Sequence, residues 1–512
     1  MAISSAAVEA PVGSRPAAPL PAGVWITAGA LVLVLVAVAA RYGFHRDELY
    51  FIEGGHHPAA GQPDNPVGVP LLARWWHDLV GGRLWAFRML PALAAGVTVV
   101  VGALTCRSLG GTRAALTLTA VATACTSIVS ATGHLFSTTT FDITLTSAAL
   151  LFLVRALEEP GRLARWVLLG LAVGVAMEVK VLVAVVMATC VAGLLVLGPR
   201  RPLASVGPSL AAGVALVLAA PYLVWQSSQG WPMLDVANEI ADGGSVSSAS
   251  RISVVPLSLV MIGPLLCLLA VLGLVTSLRR AERSRWGWIG LGYVLLLLFV
   301  VGTGGKPYYL AGYFPVLLAL GARPLAHWLH GSRRRALTWW AAVVVFAVPT
   351  AVFSLPLAPV GSLPFRVAAT VNPDGAETVG WGGYVDTVRS VAASLPAGQR
   401  GNAVILTQNY GEAGALSRAR RRGAADVEAL PPVYSGHNAY AAWGPPPASA
   451  DTAVVVGFAA ADLSAWFTRC AGAGRLSSPP GVDNEEDGVP VRVCSGPRQS
   501  WAELWPSIRR LG

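Results

Sequence analysis

The stretch Phe44-His-Arg-Asp-Glu-Leu-Tyr follows the first long apolar run and sets two carboxylates beside a cation. At the rim of a membrane a charged pair is costly to keep in apolar surroundings. Burial there would raise the pKa of Asp47 while Arg46 lowers it, an opposition typical of a catalytic base. The plainer reading is a solvated loop that happens to be charged. A second stretch, Gly304-Gly-Lys-Pro-Tyr-Tyr-Leu, breaks two apolar runs and carries one charge, Lys306. With Tyr308 and Tyr309 beside it, Lys306 could hold the phosphate of a lipid head group. It could equally be an anchor that snorkels to the interface.

Three weaker features accompany these. His134 and Asp142 flank Phe136-Ser-Thr-Thr-Thr, with Asp142 just inside an apolar run. An intramembrane carboxylate is a functional candidate by default, although Asp142 could instead cap a helix beginning near Thr140. Glu178 and Lys180 interrupt another apolar stretch. Two residues apart, they do not share a helical face, so a tight external turn facing the same cavity is expected. Trp225-Gln-Ser-Ser-Gln-Gly-Trp-Pro, with Trp225 and Gln226, suits sugar stacking or, more simply, an aromatic interface belt. The adjacent pair His56-His57 points its rings in different directions, and no Cys/His spacing suggests a metal. Neither a metal nor a cofactor is expected.

These residues need elements to position them, and composition says what kind. Of 512 residues, 54% are hydrophobic and 12% charged, against about 25% charged in a soluble domain. A bilayer can solvate that much apolar surface. Candidate spans fall at 24–41, 87–106, 114–133, 141–157, 166–178, 181–198, 207–226, 253–278, 286–303, 308–322 and 336–356. The expected fold is therefore a polytopic α-helical membrane protein of about 11 spans. Segments 166–178 and 308–322 are short for a hydrocarbon core of about 30 Å, so they are tilted, re-entrant or buried inside the bundle.

The formal net charge of +10 does not point to nucleic acid, because the arginines cluster between apolar runs. Arg107 with Arg113, Arg162 with Arg165, Arg200 with Arg201, the run Arg279–Arg285 and Arg333 to Arg335 occupy alternate connections, the pattern of cytoplasmic loops. The connections 42–86, 134–140, 179–180, 227–252 and 304–307, with everything after about 357, are then extracytoplasmic. The domains expected are a disordered segment over 1–23, a transmembrane region over 24–356 with a chemistry-bearing external loop over 42–86, and a soluble α/β domain over 370–512. Within loop 42–86, Pro70 to Val80 has the spacing of an amphipathic interface helix. In the tail, Ala403-Val-Ile-Leu-Thr and Thr452-Ala-Val-Val-Val-Gly read as buried strands, and Tyr384–Leu395 and Ala461–Thr468 as helices. Cys470 and Cys494 could form a disulfide if the tail lies outside the cell.

The chain resembles glycosyltransferase family 39 and the aminoarabinose-transferase-like group of the C-type membrane glycosyltransferases, the protein-mannosyltransferase group, from about 40 to 460. The likeness rests on Phe44-His-Arg-Asp-Glu-Leu-Tyr-Phe, Gln62-Pro-Asp-Asn-Pro, Gly133-His-Leu-Phe-Ser-Thr-Thr-Thr-Phe-Asp, Pro221-Tyr-Leu-Val-Trp-Gln, Gly230-Trp-Pro, Lys306-Pro-Tyr-Tyr-Leu, Thr407-Gln-Asn-Tyr-Gly-Glu-Ala-Gly-Ala-Leu and Pro431-Pro-Val-Tyr-Ser-Gly-His-Asn. That resemblance implies the C-type superfold and transfer of a sugar from a polyprenyl-phosphate donor to an extracytoplasmic glycan, lipid or protein acceptor, with inversion. It makes Asp47 the base, with Glu48 orienting the site, and Arg46 and Lys306, with Tyr308 and Tyr309, the holders of the lipid phosphate. His45, Asp64, His134, Asp142, Lys180, Trp225 and Gln226 become candidate substrate contacts. Asp64-Asn65-Pro66 and Glu178-Val-Lys180 depart from the pattern common in relatives, which bears on the sugar and the carrier contacts. Tyr410, Glu412, His437 and Asn438 either shape an acceptor site or hold the tail together. The alternative function is a multi-spanning transporter of a lipid-linked sugar or another solute. No internal repeat supports it.

Overall fold

The computed structural model describes residues 19–243, 250–423 and 430–511. The segment expected to be disordered lies outside these up to residue 18, and the chain is helical from Ala22. Among the described residues six helices are long and apolar enough to cross a membrane: Leu84–Ser108, Thr138–Glu158, Val206–Ser228, Arg280–Thr303, Pro307–His330 and Arg333–Ser354. Two further pairs, Arg113–Ala124 with Ser127–Gly133 and Val254–Ile262 with Pro264–Leu278, are bent by 59° and 105°, which brings the number to as many as eight. The second bend turns at Gly263, whose φ of 99° is open to glycine and strained for other residues. Pro264 then starts the next helix at a position where its missing N–H costs nothing.

The remaining expected spans are the shorter apolar helices Ala22–Val38, Leu163–Met177 and Leu182–Leu197. Each expected apolar run is thus helical, but among the described residues only six reach spanning length without a sharp bend. The run that looked too short at 308–322 is the middle of a longer element. A 3₁₀ turn over Pro307–Tyr313 leads into a helix over Phe314–His330, and this unit lies deep in the bundle. Its burial explains how it tolerates a polar, glycine-broken start. By contrast Arg333–Ser354 lies at the periphery, exposing Leu337, Val344, Val345 and Phe346, as a lipid-facing helix would.

The connections gather into two groups. In one, Arg285 pairs with Glu158, Arg165 with Glu159, and Arg323 with Glu282. In the other, loop 42–86 touches several further connections. The Phe136 N–H donates to Glu48, the Gln226 amide donates to the Gln62 carbonyl, and Gly68 lies against the Glu178 carbonyl. Within that loop a helix spans Gly68–Leu79. Leu71, Trp75 and Leu79, four residues apart, are exposed, whereas Leu72 and Trp76 pack inward. The helical spacing of Pro70 to Val80 sets Leu71, Leu72, Trp75, Trp76 and Leu79 on one expected apolar face, and the structure divides these five between an outward stripe and a core contact.

The tail holds a five-stranded sheet of order β2-β1-β3-β5-β4, with β1 Ala403–Thr407, β2 Val433–Ser435, β3 Thr452–Val456, β4 Phe467–Arg475 and β5 Pro490–Pro497. The first three are parallel and β5 and β4 are added antiparallel. The helix expected over Ala461–Thr468 ends at Trp466, where the chain turns into β4. Cys470 and Cys494 stand opposite one another on β4 and β5 and are joined as a disulfide.

The tail is not a separate body. One of its apolar clusters combines Tyr384, Val388, Ile405, Leu416 and Val454 with Leu49 from the external loop. The helix Tyr410–Arg422 crosses the loop helix Arg46–Gly54 through two glycines three residues apart. A Cβ on Gly411 would lie 2.6 Å from the Arg46 Cβ, and one on Gly414 would lie 2.9 Å from the Leu49 Cβ. Only residues without a side chain permit that approach.

A candidate active site at the membrane rim

His45 caps the helix Arg46–Gly54. Its ring nitrogen Nδ1 accepts from the Asp47 N–H at 3.2 Å, and its own N–H donates to Glu48 Oε2 at 2.8 Å. This reciprocal cap holds Asp47 in the first helical turn. The same exchange determines what Glu48 can do. Its oxygens also accept from Arg88 Nε at 2.9 Å, Arg88 Nη2 at 2.8 Å and the Phe136 N–H at 2.9 Å. Glu48 and Arg88 are both fully buried. Arg88 in turn donates to the carbonyls of Ala39 and Gly43 and meets His134 Nε2 at 3.1 Å.

These contacts show where several of the expected site residues are placed. Four donors occupy the Glu48 carboxylate, which fits the orienting role the resemblance implies for it, because these bonds fix the turn that carries Asp47. His134 is buried against Arg88 and serves the same knot. Gln226 is fully buried, with its amide donating to the Gln62 carbonyl and the Tyr222 hydroxyl and accepting from the Met233 N–H. Trp225 is half-buried, with its ring against Gly61. The helix start near Thr140 is capped by Ser137, not Asp142.

Asp47 keeps a third of its side chain exposed, at 34%. One of its oxygens accepts from the Tyr410 hydroxyl at 2.9 Å, so the tail reaches directly into the loop. Burial pushes the carboxyl up, but His45, Arg46, the Tyr410 hydrogen bond and Lys306 together outweigh it and hold it below the usual carboxylate range. Asp47 is therefore ionised at neutral pH. Opposite it, burial and the neighbouring Lys180 push Lys306 down to about 8, while Asp47 pulls the other way. Burial also lowers Lys180, opposed by Asp142 and Asp47. The Lys180 ammonium lies 4.7 Å from the ring centroids of both Tyr308 and Tyr309, and Lys306 lies 6.0 Å from that of Tyr308. Two ammonium groups steadied by aromatic faces thus share one neighbourhood with a carboxylate.

Arg46 is placed differently from the expectation. Its guanidinium pairs with Glu485 of the tail and lies over the Tyr410 ring, so its charge is already matched. Asp64 accepts from the Tyr50 hydroxyl at 2.8 Å, Asn65 Nδ2 at 2.7 Å and Asn438 Nδ2 at 3.2 Å. Burial raises it to about 6. Asn438 makes its contact from a left-handed backbone, φ 51°, which an L residue holds only when its surroundings impose it. The rings of Tyr50 and Tyr410, 4.6 Å apart, link Asp64 to Asp47. Asp142 is buried and accepts from Thr146. Arg88, Tyr50 and Glu485 were not among the expected site residues. A lone arginine opening the apolar run after Phe87 was the available signal for the first of them.

Residues 64–225 match the family model described as dolichyl-phosphate-mannose-protein mannosyltransferase. Among solved structures, that of ArnT from Cupriavidus metallidurans bound to undecaprenyl phosphate is similar at 16% identity and a TM-score of 0.58, over 92% of this chain and 98% of that one. The same protein in the apo state gives 15%, 0.57, 92% and 98%. The apo oligosaccharyltransferase of Archaeoglobus fulgidus gives 13% identity and a TM-score of 0.47, over 80% of this chain and 64% of that one. No curated protein sequence matches the chain. The likeness to ArnT runs the length of both chains and shows a shared fold. Together with the family match it supports the resemblance to the family 39 and aminoarabinose-transferase-like C-type group.

Proposed function

We propose, taking this chain as a C-type membrane glycosyltransferase, that it moves a sugar from a polyprenyl-phosphate donor to an extracytoplasmic acceptor with inversion at the anomeric carbon. The observation that carries this reading is the meeting of ionised Asp47 with Lys306 and Lys180 at the membrane rim. A lipid-linked donor presents its reactive carbon at that depth. The similar ArnT structure holds undecaprenyl phosphate, a ligand of the same chemical class.

In this mechanism Asp47 takes the proton of an acceptor hydroxyl as its oxygen bonds to the anomeric carbon. The bond from that carbon to the phosphate oxygen breaks and leaves a polyprenyl phosphate. Lys306 and Lys180 neutralise the charge that builds on the phosphate. An acidic leaving group needs no strong general acid, and a positioned base is worth about 10²–10⁴ in rate. Tyr308 and Tyr309 orient the two ammonium groups, and Tyr410 sets the direction of the Asp47 carboxylate. Arg46 acts through Tyr410 and the tail, not on the phosphate. Asp64 and Asp142 remain candidates for sugar contacts, as does Trp225.

Eleven crossings with loop 42–86 and the tail outside the cytoplasm fit this chemistry. The tail disulfide supports that side, because such bonds persist in oxidising compartments. The deciding experiment is transfer from a radiolabelled polyprenyl-phosphate sugar in isolated membranes, comparing wild type with Asp47→Asn. Loss of transfer in the variant at unchanged expression is expected. Equal transfer would remove Asp47 from the mechanism.

A further inference from the structure

Three carboxylates from distant parts of the chain meet where the tail leaves the membrane region. Glu377 comes from the turn Pro373–Thr378, and Glu485 and Glu486 come from the connection between β4 and β5. One carboxylate oxygen from each lies within 4.8 Å of the others. The connection is stitched into place by Asn484, whose amide donates to the carbonyls of Val379 and Ala376.

The surroundings balance the cluster only in part, through the pairing of Glu485 with Arg46. Glu412 adds a fourth carboxyl beside Glu486, and Arg46, Arg510 and His45 are the basic groups whose fields reach these carboxylates. Two of the carboxylates are more than nine-tenths buried, Glu377 at 5% and Glu486 at 7% exposure. Each has an oxygen without a hydrogen-bond partner among the described residues. An independent observation comes from outside the cluster. The Tyr384 side chain, 3% exposed, lines one small cavity with Glu486 and Asn484, and its hydroxyl also has no hydrogen-bond partner among the described residues. Buried polar atoms are nearly always satisfied, so several orphaned oxygens around one point ask for a ligand that accepts lone pairs.

We propose that Glu377, Glu485 and Glu486 form a divalent-cation site that clamps the tail domain to the loop bearing Asp47. An all-oxygen donor set selects a hard ion of the calcium, magnesium or manganese kind. A cation about 2.4 Å from two oxygens holds them no more than about 4.8 Å apart, a limit the three oxygens stay within. Glu485 is the exposed member and gives the ion a way in. Because Glu485 also pairs with Arg46, a bound cation competes for that carboxylate and bears on the arginine next to Asp47.

The test uses the full-length protein in detergent, stripped with chelator and titrated with Mn²⁺ while electron paramagnetic resonance reads the free ion. One Mn²⁺ per chain is expected, displaced by excess Ca²⁺. The dissociation constant should rise at least about tenfold in Glu377→Gln and in Glu486→Gln, a loss seen even when a ligand's supporting partner is removed. The wild-type titration stands whether or not the variants fold. Absence of saturable binding by wild type would overturn the site. So would binding unchanged in both variants, or binding kept in both and lost in Asp47→Asn. The readout requires no sugar transfer, so its failure leaves the proposed function untouched.

Discussion

Asp47 and Glu48 are neighbours of the same chemical type, yet the fold gives them opposite uses. Glu48 is saturated and paired with Arg88, both side chains fully buried, so Glu48→Gln should act on stability. Removing one partner of a buried pair costs about 3–5 kcal/mol. A lowered unfolding midpoint in detergent is expected, with the donor KM little changed in the protein that remains folded. An unchanged midpoint would contradict the positioning role. Tyr410→Phe removes a hydrogen bond that favours the charged form of Asp47. The carboxyl pKa then rises, so the acid limb of the rate profile should move to higher pH. A profile that stays in place would show that Tyr410 does not tune the base. Lys306, at about 8, gives the alkaline limb. Only its protonated form attracts phosphate, so donor KM should hold below that value and climb above it. Lys306→Arg, which does not titrate there, should flatten the climb. A wild-type KM constant from pH 7 to 9.5 would exclude the lysine from donor binding.

At the scale of elements, the crossing of Arg46–Gly54 with Tyr410–Arg422 joins loop to tail. Its closeness depends on Gly411 and Gly414. Gly414→Val should force the helices apart, carry the Tyr410 hydroxyl away from Asp47 and reduce transfer about as much as Tyr410→Phe or more. Transfer at the wild-type rate would mean that the docking is dispensable. This crossing also gives a physical reason for Thr407-Gln-Asn-Tyr-Gly-Glu-Ala-Gly. The glycines make room, Asn409 and Glu412 cap the helix, and Tyr410 delivers the hydroxyl. From the residues alone that motif offered no chemistry, because its partner lies more than 300 positions away.

For the whole molecule, contact between tail and loop 42–86 requires both to lie on one side of the membrane. A reporter enzyme active only outside the cytoplasm, fused after Gly380, should therefore be active. Silence would invert the proposed orientation. The disulfide closes a loop of 24 residues, and losing such a loop costs about 3–4 kcal/mol in the chain-entropy account. Reduction or Cys470→Ser should lower the resistance of the tail to protease, whereas unchanged resistance would make the bond dispensable.

The amino-acid sequence by itself determined the apolar helices, the break before Lys306, the parallel strands β1 and β3 and the chemical character of the loop after the first span. Each of these is a local pattern of hydropathy, glycine and proline, and charge. The tertiary structure alone decided how the titratable groups are used. It set Glu48 against Arg88, turned Arg46 toward Glu485, brought Lys180 to Lys306 and placed Tyr410 over Asp47. The physical reason is range. A carboxylate acts according to the donors and charges within a few ångströms of it, and here most of those come from distant parts of the chain.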